Sequence, residues 1–234
     1  MSEIKALVAV RSGSERVKDK NLRSFSGKNL LEHKLEQLKR IPYLDGIVVN
    51  SDDDQMLAIA YSKGCEAVKR PEVYARAETS MSEVYKNMAE NFPADIVVYC
   101  NATSPLISDS SIESAIETFY GMHTGMHTPD RSESVNSAHI VKQFLWHGGK
   151  PVNYDPQNQP RSQDLPDIYA LNYAVSVIAR QSMIRYKNII TPNCRLLTIS
   201  PLEAVDIDTM LDFEVAEYLF GKYTDINMYS SHSL

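Results

Sequence analysis

Short runs that are apolar on both faces alternate, along most of the chain, with longer stretches whose apolar residues recur every three or four positions. The first run, Ile4–Val10 (I-K-A-L-V-A-V), is rich in β-branched residues and predicts a strand covered on both sides of a sheet. Leu30–Ile41 carries Leu31, Leu35 and Leu38 with charges between them and predicts an amphipathic helix. The same alternation continues with a strand at Gly46–Asn50, a helix at Asp54–Lys63 stopped by Gly64, and a strand at Cys65–Lys69. A helix at Ser82–Asn91, a strand at Asp95–Tyr99 and a helix at Ser108–Tyr120 follow, the last opening on Ser and Asp caps. Strands and helices in this order imply βαβ crossovers, so the expected fold class is α/β, with a mainly parallel sheet and helices on both faces.

From residue 141 the texture changes. Phe144-Leu-Trp146, Gly148-Gly149 and Pro151–Tyr154 predict a β-hairpin with a tight glycine turn, followed by the polar, proline-bearing stretch Asp155–Asp167. Residues 139–170 are therefore expected to be an insertion outside the main sheet, which residues 1–138 and 171–234 would build. The chain returns with a strand near Ala174–Ile178, a helix at Arg180–Tyr186, a strand at Leu196–Ile199 and a last helix at Met210–Phe220.

The chain has 234 residues and a formal net charge of −6, enough length to bury a core without disulfide or metal support. That acidic balance argues against a surface that tracks nucleic acid or anionic lipid. A charged start, Met1-Ser-Glu-Ile-Lys5, and the lack of any long apolar run predict a cytoplasmic protein with no membrane span. Cys65, Cys100 and Cys194 are odd in number and never in a C-x-x-C pair, which points to reduced thiols.

Charge is unevenly placed. Six basic and two acidic residues give residues 11–28 a net +4, leaving −10 for the rest. This loop, Arg11-Ser12-Gly13-Ser14 through Lys20-Asn21, follows the first strand, where open sheets of this kind bind ligands. Gly13 between two serines lets backbone N–H groups approach an anion, and Arg11, Arg16, Lys18 and Lys20 add charge-assisted donors. Neither a P-loop nor a dinucleotide glycine fingerprint occurs. Near the other end, Asp206-Ile207-Asp208 would aim two carboxylates to one side if extended, suiting a hard cation such as Mg²⁺ beside phosphates; a helix cap with Thr209 and Asp212 is the alternative. His123 and His127 stand four apart, but two glycines and the missing acidic partner make a loop the better reading. Ser104 and Ser176 lack G-x-S-x-G context.

Taken together, Arg11-x-Gly13-Ser14 with Lys20-Asn21-Leu22, Asn50-Ser51-Asp52, Arg70-Pro71, Thr103-Ser104-Pro105-Leu106, Gln159-Pro160-Arg161-x-Gln163, Asn172 and Asp206-Ile207-Asp208-Thr209 form an ordered series. In it the chain resembles, over nearly its whole length, the cytidylyltransferases that activate nonulosonic acids, the acylneuraminate or CMP-sialic acid synthetases. The resemblance implies a Rossmann-like sheet of the nucleotide-diphospho-sugar transferase type and a transfer of CMP from CTP to a nine-carbon 2-keto sugar acid. It also implies that Arg11 and Lys20 hold the triphosphate over the Ser12–Ser14 cradle, that Asn21, Arg70 and Ser80 or Ser82 contact the cytidine, and that Asp206 and Asp208 bind Mg²⁺. Asn101, Ser104, Arg161, Gln163 and Asn172 would serve the sugar, and the 139–170 insertion would pair two subunits as a homodimer. Four positions depart from the family pattern: Glu15 for Lys, Asn101 for Gln, Ile107 for Arg, and Tyr173 for Gly between Asn172 and Ala174. A nucleotidyltransferase for another acceptor, such as Kdo or a sugar phosphate, and a catalytically silent nucleotide-binding relative are the alternatives.

Overall fold

A computed structural model describes residues 2–121 and 133–230; the His123/His127 pair lies outside them. In chain order the elements are β1 (Ile4–Ala9), a small ribbon of β2 (Ser24–Phe25) and β3 (Lys28–Asn29), α1 (Leu30–Leu38), β4 (Gly46–Ser51), α2 (Asp54–Ser62), β5 (Glu66–Lys69), α3 (Met81–Glu90), β6 (Ile96–Cys100) and α4 (Asp109–Phe119). There follow β7 (Ser134–Val141), the hairpin β8 (Trp146–His147) and β9 (Lys150–Pro151), β10 (Ile168–Ala179), α5 (Arg180–Tyr186), β11 (Cys194–Thr198) and α6 (Met210–Ser230). Seven strands form one sheet in the order β11-β7-β10-β6-β1-β4-β5, and β10 alone runs against its neighbours. The α/β class with a mainly parallel sheet is as expected.

β1 is central because its sequence is apolar on both faces. Ala6 and Val8 enter one core, with Leu31 and Leu35 of α1, Ile112 of α4 and Phe213 of α6; Leu7 enters the other, with Val84 and Met88 of α3 and Met183 of α5. Local chemistry sets the helix starts. Asn29 and Glu32 form a reciprocal capping box on α1, Asp53 caps α2 and Ser108 caps α4. Gly64, at φ +69°, provides the left-handed residue that ends α2, as its position predicts.

The insertion is shorter than its sequence texture suggests. Residues 139–141 continue β7 and residues 168–170 begin β10, paired as Ile168↔Val141, Tyr169↔Ile140 and Ala170↔His139, so only residues 142–167 leave the sheet. β7 was hidden because three of its five buried positions are polar: Ser134, Asn136 and Ser137 are fully buried beside Val135 and Ala138 and hydrogen-bond Thr191, Cys194 and Asn172 respectively. The expected hairpin is present, with Gly148 and Gly149 both at positive φ (+57° and +75°), as a two-residue turn matched to strand twist requires.

Candidate active site

β1 lies where successive crossovers diverge, β4 and β5 to one side and β6 to the other, the position at which open α/β sheets bind ligands beyond their strand ends. Two cavities meet there, sharing Ala9, Val10, Arg11 and Ala77. One, of about 420 Å³, is lined by Ser14, Arg16, Lys20, Asn21, Asn101 and Thr103; the other, of about 290 Å³, by Arg70, Tyr74, Thr79, Met81 and Tyr99.

The backbone leaves β1 through Arg11–Ser14 with Gly13 at φ +68°; a Cβ there would meet nothing within 4 Å, so conformation and not space calls for glycine. Asp52, just after β4, pins this cradle. Its Oδ1 accepts the Ser12 amide at 3.0 Å and its other oxygen accepts the Ser12 hydroxyl. Burial pushes the Asp52 carboxyl up, but the Ser12 hydroxyl and amide outweigh it and hold the group below its ordinary range, so it stays ionised. Arg11 donates Nη1 to the Ala75 carbonyl at 3.1 Å, which joins the cradle to the segment walling the smaller cavity.

Asp206 and Asp208 face the basic loop. Arg16 Nη2 lies 2.9 Å from Asp208 Oδ1, and Lys20 Nζ lies 3.7 Å from the same oxygen while donating to the Ile207 carbonyl. Asp208 is spared from capping α6, because Thr209 and Asp212 do so reciprocally: the Thr209 amide donates to Asp212 Oδ2 at 2.7 Å and the Asp212 amide to Thr209 Oγ1 at 3.2 Å. Burial raises the pKa of Asp206, against a hydrogen bond from the Thr103 hydroxyl and with the Asp208 charge adding to the rise; its Oδ1 is buried without a partner. An orphaned carboxylate oxygen beside a second carboxylate suits a hard divalent cation. No group of three or more His, Cys, Asp and Glu gathers among the described residues, so such a cation would complete its shell from phosphate and water, as Mg²⁺ commonly does.

Arg70 is 4% exposed and spends Nε on Asn50 Oδ1 at 2.6 Å and Nη2 on the Asn50 carbonyl at 2.9 Å, which fixes the guanidinium against the smaller cavity. Burial lowers its pKa. Asn21 is also buried and lines the larger cavity.

Other expected residues are placed elsewhere. Ser80 is exposed and caps α3, accepting the Glu83 amide at 3.4 Å. Ser104 lies buried beneath the loop after β6, its hydroxyl unpartnered. Asn172 is buried; its Oδ1 accepts the Ser137 hydroxyl at 2.6 Å and the Ala174 amide at 3.2 Å, and its Nδ2 has no partner. Tyr173 beside it holds φ +55°, a conformation that favours glycine, at an irregularity in β10. Arg161 and Gln163 belong to the 142–167 excursion, outside both cavity linings, where Arg161 grips Asp164 at 2.7 Å. Three contributors stood in the sequence motifs or the basic loop without being given these roles: Asp52, Arg16 as partner of Asp208, and Thr103. Asp52 had a signal, as the last residue of Asn50-Ser51-Asp52 at a strand end.

The profile of a protein family described as cytidylyltransferase matches residues 5–217. The chain is 26% identical to the post-translational flagellin modification protein B of Campylobacter coli, over 94% of this chain and 95% of that protein. It is 25% identical to the pseudaminic acid cytidylyltransferase of Campylobacter jejuni (serotype O:23/36, strain 81-176), over 92% and 94% of the two chains. With the N-acylneuraminate cytidylyltransferase of Oncorhynchus mykiss it shares 27% identity over 92% of this chain, and it spans about half (49%) of that protein. Among solved structures, CMP:2-keto-3-deoxy-manno-octonic acid synthetase complexed with CTP superposes with a TM-score of 0.71 at 14% identity, covering 95% of this chain and all (100%) of that one, a likeness of fold. No helix among the described residues is long and apolar enough to cross a membrane. With a family match over most of its length and a basic loop facing a carboxylate pair, the chain belongs to the cytidylyltransferase family.

Proposed function

We propose that this chain activates a nonulosonic acid, a nine-carbon 2-keto sugar acid, with CTP to give the CMP-sugar and pyrophosphate. The observation that carries this reading is the cleft at the end of β1, lined by Arg11, Ser14, Arg16 and Lys20, with Asp208 at 2.9 Å from Arg16 and 3.7 Å from Lys20. The names of the Campylobacter and fish relatives support the acceptor class. The acceptor's anomeric hydroxyl attacks the α-phosphorus in line, the bond to the bridging oxygen breaks, and pyrophosphate leaves. Side chains need do little covalent work in such a transfer; positioning and charge neutralisation dominate.

Each residue's part follows from its place. The Ser12–Ser14 amides and Arg11 and Lys20 hold the triphosphate and neutralise the leaving pyrophosphate. Arg70 and Asn21 hold the cytidine. Asp206 and Asp208 would hold Mg²⁺, which when bound supplies charge neutralisation on the phosphate oxygens. Asn101 and Thr103 wall the acceptor side. Because Arg161 and Gln163 lie outside the cleft, this reading assigns them, with the 142–167 excursion, to the neighbouring site of a homodimer. The same reading puts the chain in the cytoplasm, and its three cysteines are free.

The test is direct. Protein, CTP and Mg²⁺ are incubated with sialic, legionaminic, pseudaminic and Kdo acids while pyrophosphate is measured. Release with a nine-carbon acid supports the proposal; folded protein that is silent across the panel, or active on Kdo alone, rejects it.

A further inference from the structure

One stripe of α1 and the turn after it breaks the apolar pattern. Lys34, Gln37 and Arg40 recur at intervals of three, and the first two are buried, at 2% and 8% exposure, among Leu30, Leu31, Leu35 and Leu38. Lys34 Nζ donates to Gln37 Oε1 at 2.7 Å and to the Ser104 carbonyl at 3.0 Å. Gln37 Nε2 donates to the Ile107 carbonyl at 2.6 Å and to Asp109 Oδ1 at 3.0 Å. Arg40 closes the row by clasping both Asp109 oxygens, at 2.7 and 2.9 Å. Apart from the Glu36 carbonyl of α1, which accepts Arg40 Nη1, the acceptors beyond the row lie on the connection between β6 and α4 (Ser104, Ile107) or at the first residue of α4 (Asp109).

That connection begins at the cleft. Asn101, Ala102 and Thr103 line the larger cavity, and the Thr103 carbonyl accepts the amide of Ile207, the residue between Asp206 and Asp208, at 2.9 Å. The loop therefore forms one wall of the cavity and holds the backbone between the paired carboxylates, while its far half is tied to α1. An ammonium buried without a carboxylate in contact is costly, and a leucine or methionine would serve the core better. What Lys34 adds is a donor where a loop carbonyl would otherwise be buried unpaired.

We propose that Lys34 and Gln37 are positioning residues: they brace the Asn101–Ile107 loop from beneath and so set the acceptor wall and the orientation of Asp206. The brace is geometric; its effect on the acceptor rests on the function proposed above.

The experiment uses the full-length protein and the variants Lys34→Met and Gln37→Leu. Amide hydrogen exchange over residues 101–107 should accelerate about tenfold or more on loss of a charge-assisted bond, with exchange in α3 unchanged. Steady-state kinetics should give a KM for the sugar acid raised about five- to tenfold and a KM for CTP within about twofold of wild type. Arg40→Ala, at the exposed end of the row, changes no core packing and should move both readouts in the same direction by less. Should the core variants fail to fold, Arg40→Ala decides alone, and wild-type exchange over 101–107 in it overturns the brace. Unchanged exchange in folded Lys34→Met overturns it whatever the kinetics show. Accelerated exchange with both KM values unmoved confines Lys34 to a structural role and overturns the positioning claim. If wild type is inert toward every acid while loop exchange still accelerates, the proposed function fails and the brace stands.

Discussion

Replacing Lys34 by Met should flatten the pH dependence of stability in a calculable way. Burial pushes the Lys34 pKa down from 10.5 to about 8, and the neighbouring charges, the Cys100 thiol and Asp109 on one side and Arg40 on the other, change this less. In the unfolded chain the same ammonium titrates near its ordinary value. Between the two values the unfolded chain binds more protons, so stability must rise with pH. Below pH 8 the full cost of carrying the charge inward is present, about 3 kcal/mol at about 1.4 kcal/mol per pH unit, and it disappears as pH climbs toward 10.5. From pH 7 to pH 9 wild type should therefore recover about 1 kcal/mol through this group, and a methionine recovers none. Urea unfolding of both proteins at pH 7, 8 and 9, fitted with a common m-value, gives the difference directly, and groups that titrate in both proteins cancel. At pH 7 itself the relief of burial opposes two orphaned acceptors, Gln37 Oε1 and the Ser104 carbonyl, at about 1–3 kcal/mol each, so the slope and not the offset is diagnostic. Parallel stability curves would refute the reasoning, because they would mean that Lys34 is not held charged and desolvated in the fold.

The paired carboxylates, the cradle and the excursion give further tests. Asp208→Ala should abolish pyrophosphate release while leaving the unfolding midpoint within about 1 kcal/mol of wild type, since the residue is half exposed and does not cap α6; retained turnover sinks the metal assignment. Arg16→Gln removes a cation bound to Asp208, so Mn²⁺ titrated without nucleotide, followed by its EPR signal, should bind several-fold more tightly than to wild type; equal affinity argues that Arg16 does not compete for the site. Asp52→Asn replaces the oxygen that takes the Ser12 amide or hydroxyl by a donor, and the KM for CTP should rise about tenfold for one charge-assisted bond lost, with the acceptor's KM little changed. Arg161→Ala should show the reverse pattern, a raised KM for the sugar acid with CTP unaffected.

The parallel half of the fold was legible because its strands are apolar on both faces and its helices carry a regular stripe, as in Ile4–Val10 and Leu30–Ile41. The antiparallel half was not. β7 buries Ser134, Asn136 and Ser137, which hydrogen-bond side chains from β10 and β11 and the segment between them, and such bonds depend on partners distant in sequence. The cleft's charged groups were readable as a basic loop at a strand end and an Asp-x-Asp near the close of the chain. That the loop's own Arg16 neutralises Asp208 was not, because 192 residues separate them and only the fold brings them together. Lys34 and Gln37 were invisible for a related reason: inside an amphipathic helix a lysine reads as solvent-facing, and its burial is decided by a loop seventy residues further on.

The pairing of Arg16 with Asp208 also bears on how the protein comes into being. The basic loop after β1 is made before the antiparallel strand that flanks β6 and before the carboxylates that balance it, Arg16 and Asp208 being 192 residues apart. A nascent chain must carry those cations without Asp208 until that residue is made, and they offer a foothold for free nucleotide before the site is whole. Nucleotide bound at that stage would favour the docking of the segment before α6, so abundant CTP should raise the yield of folded protein as well as feed the reaction.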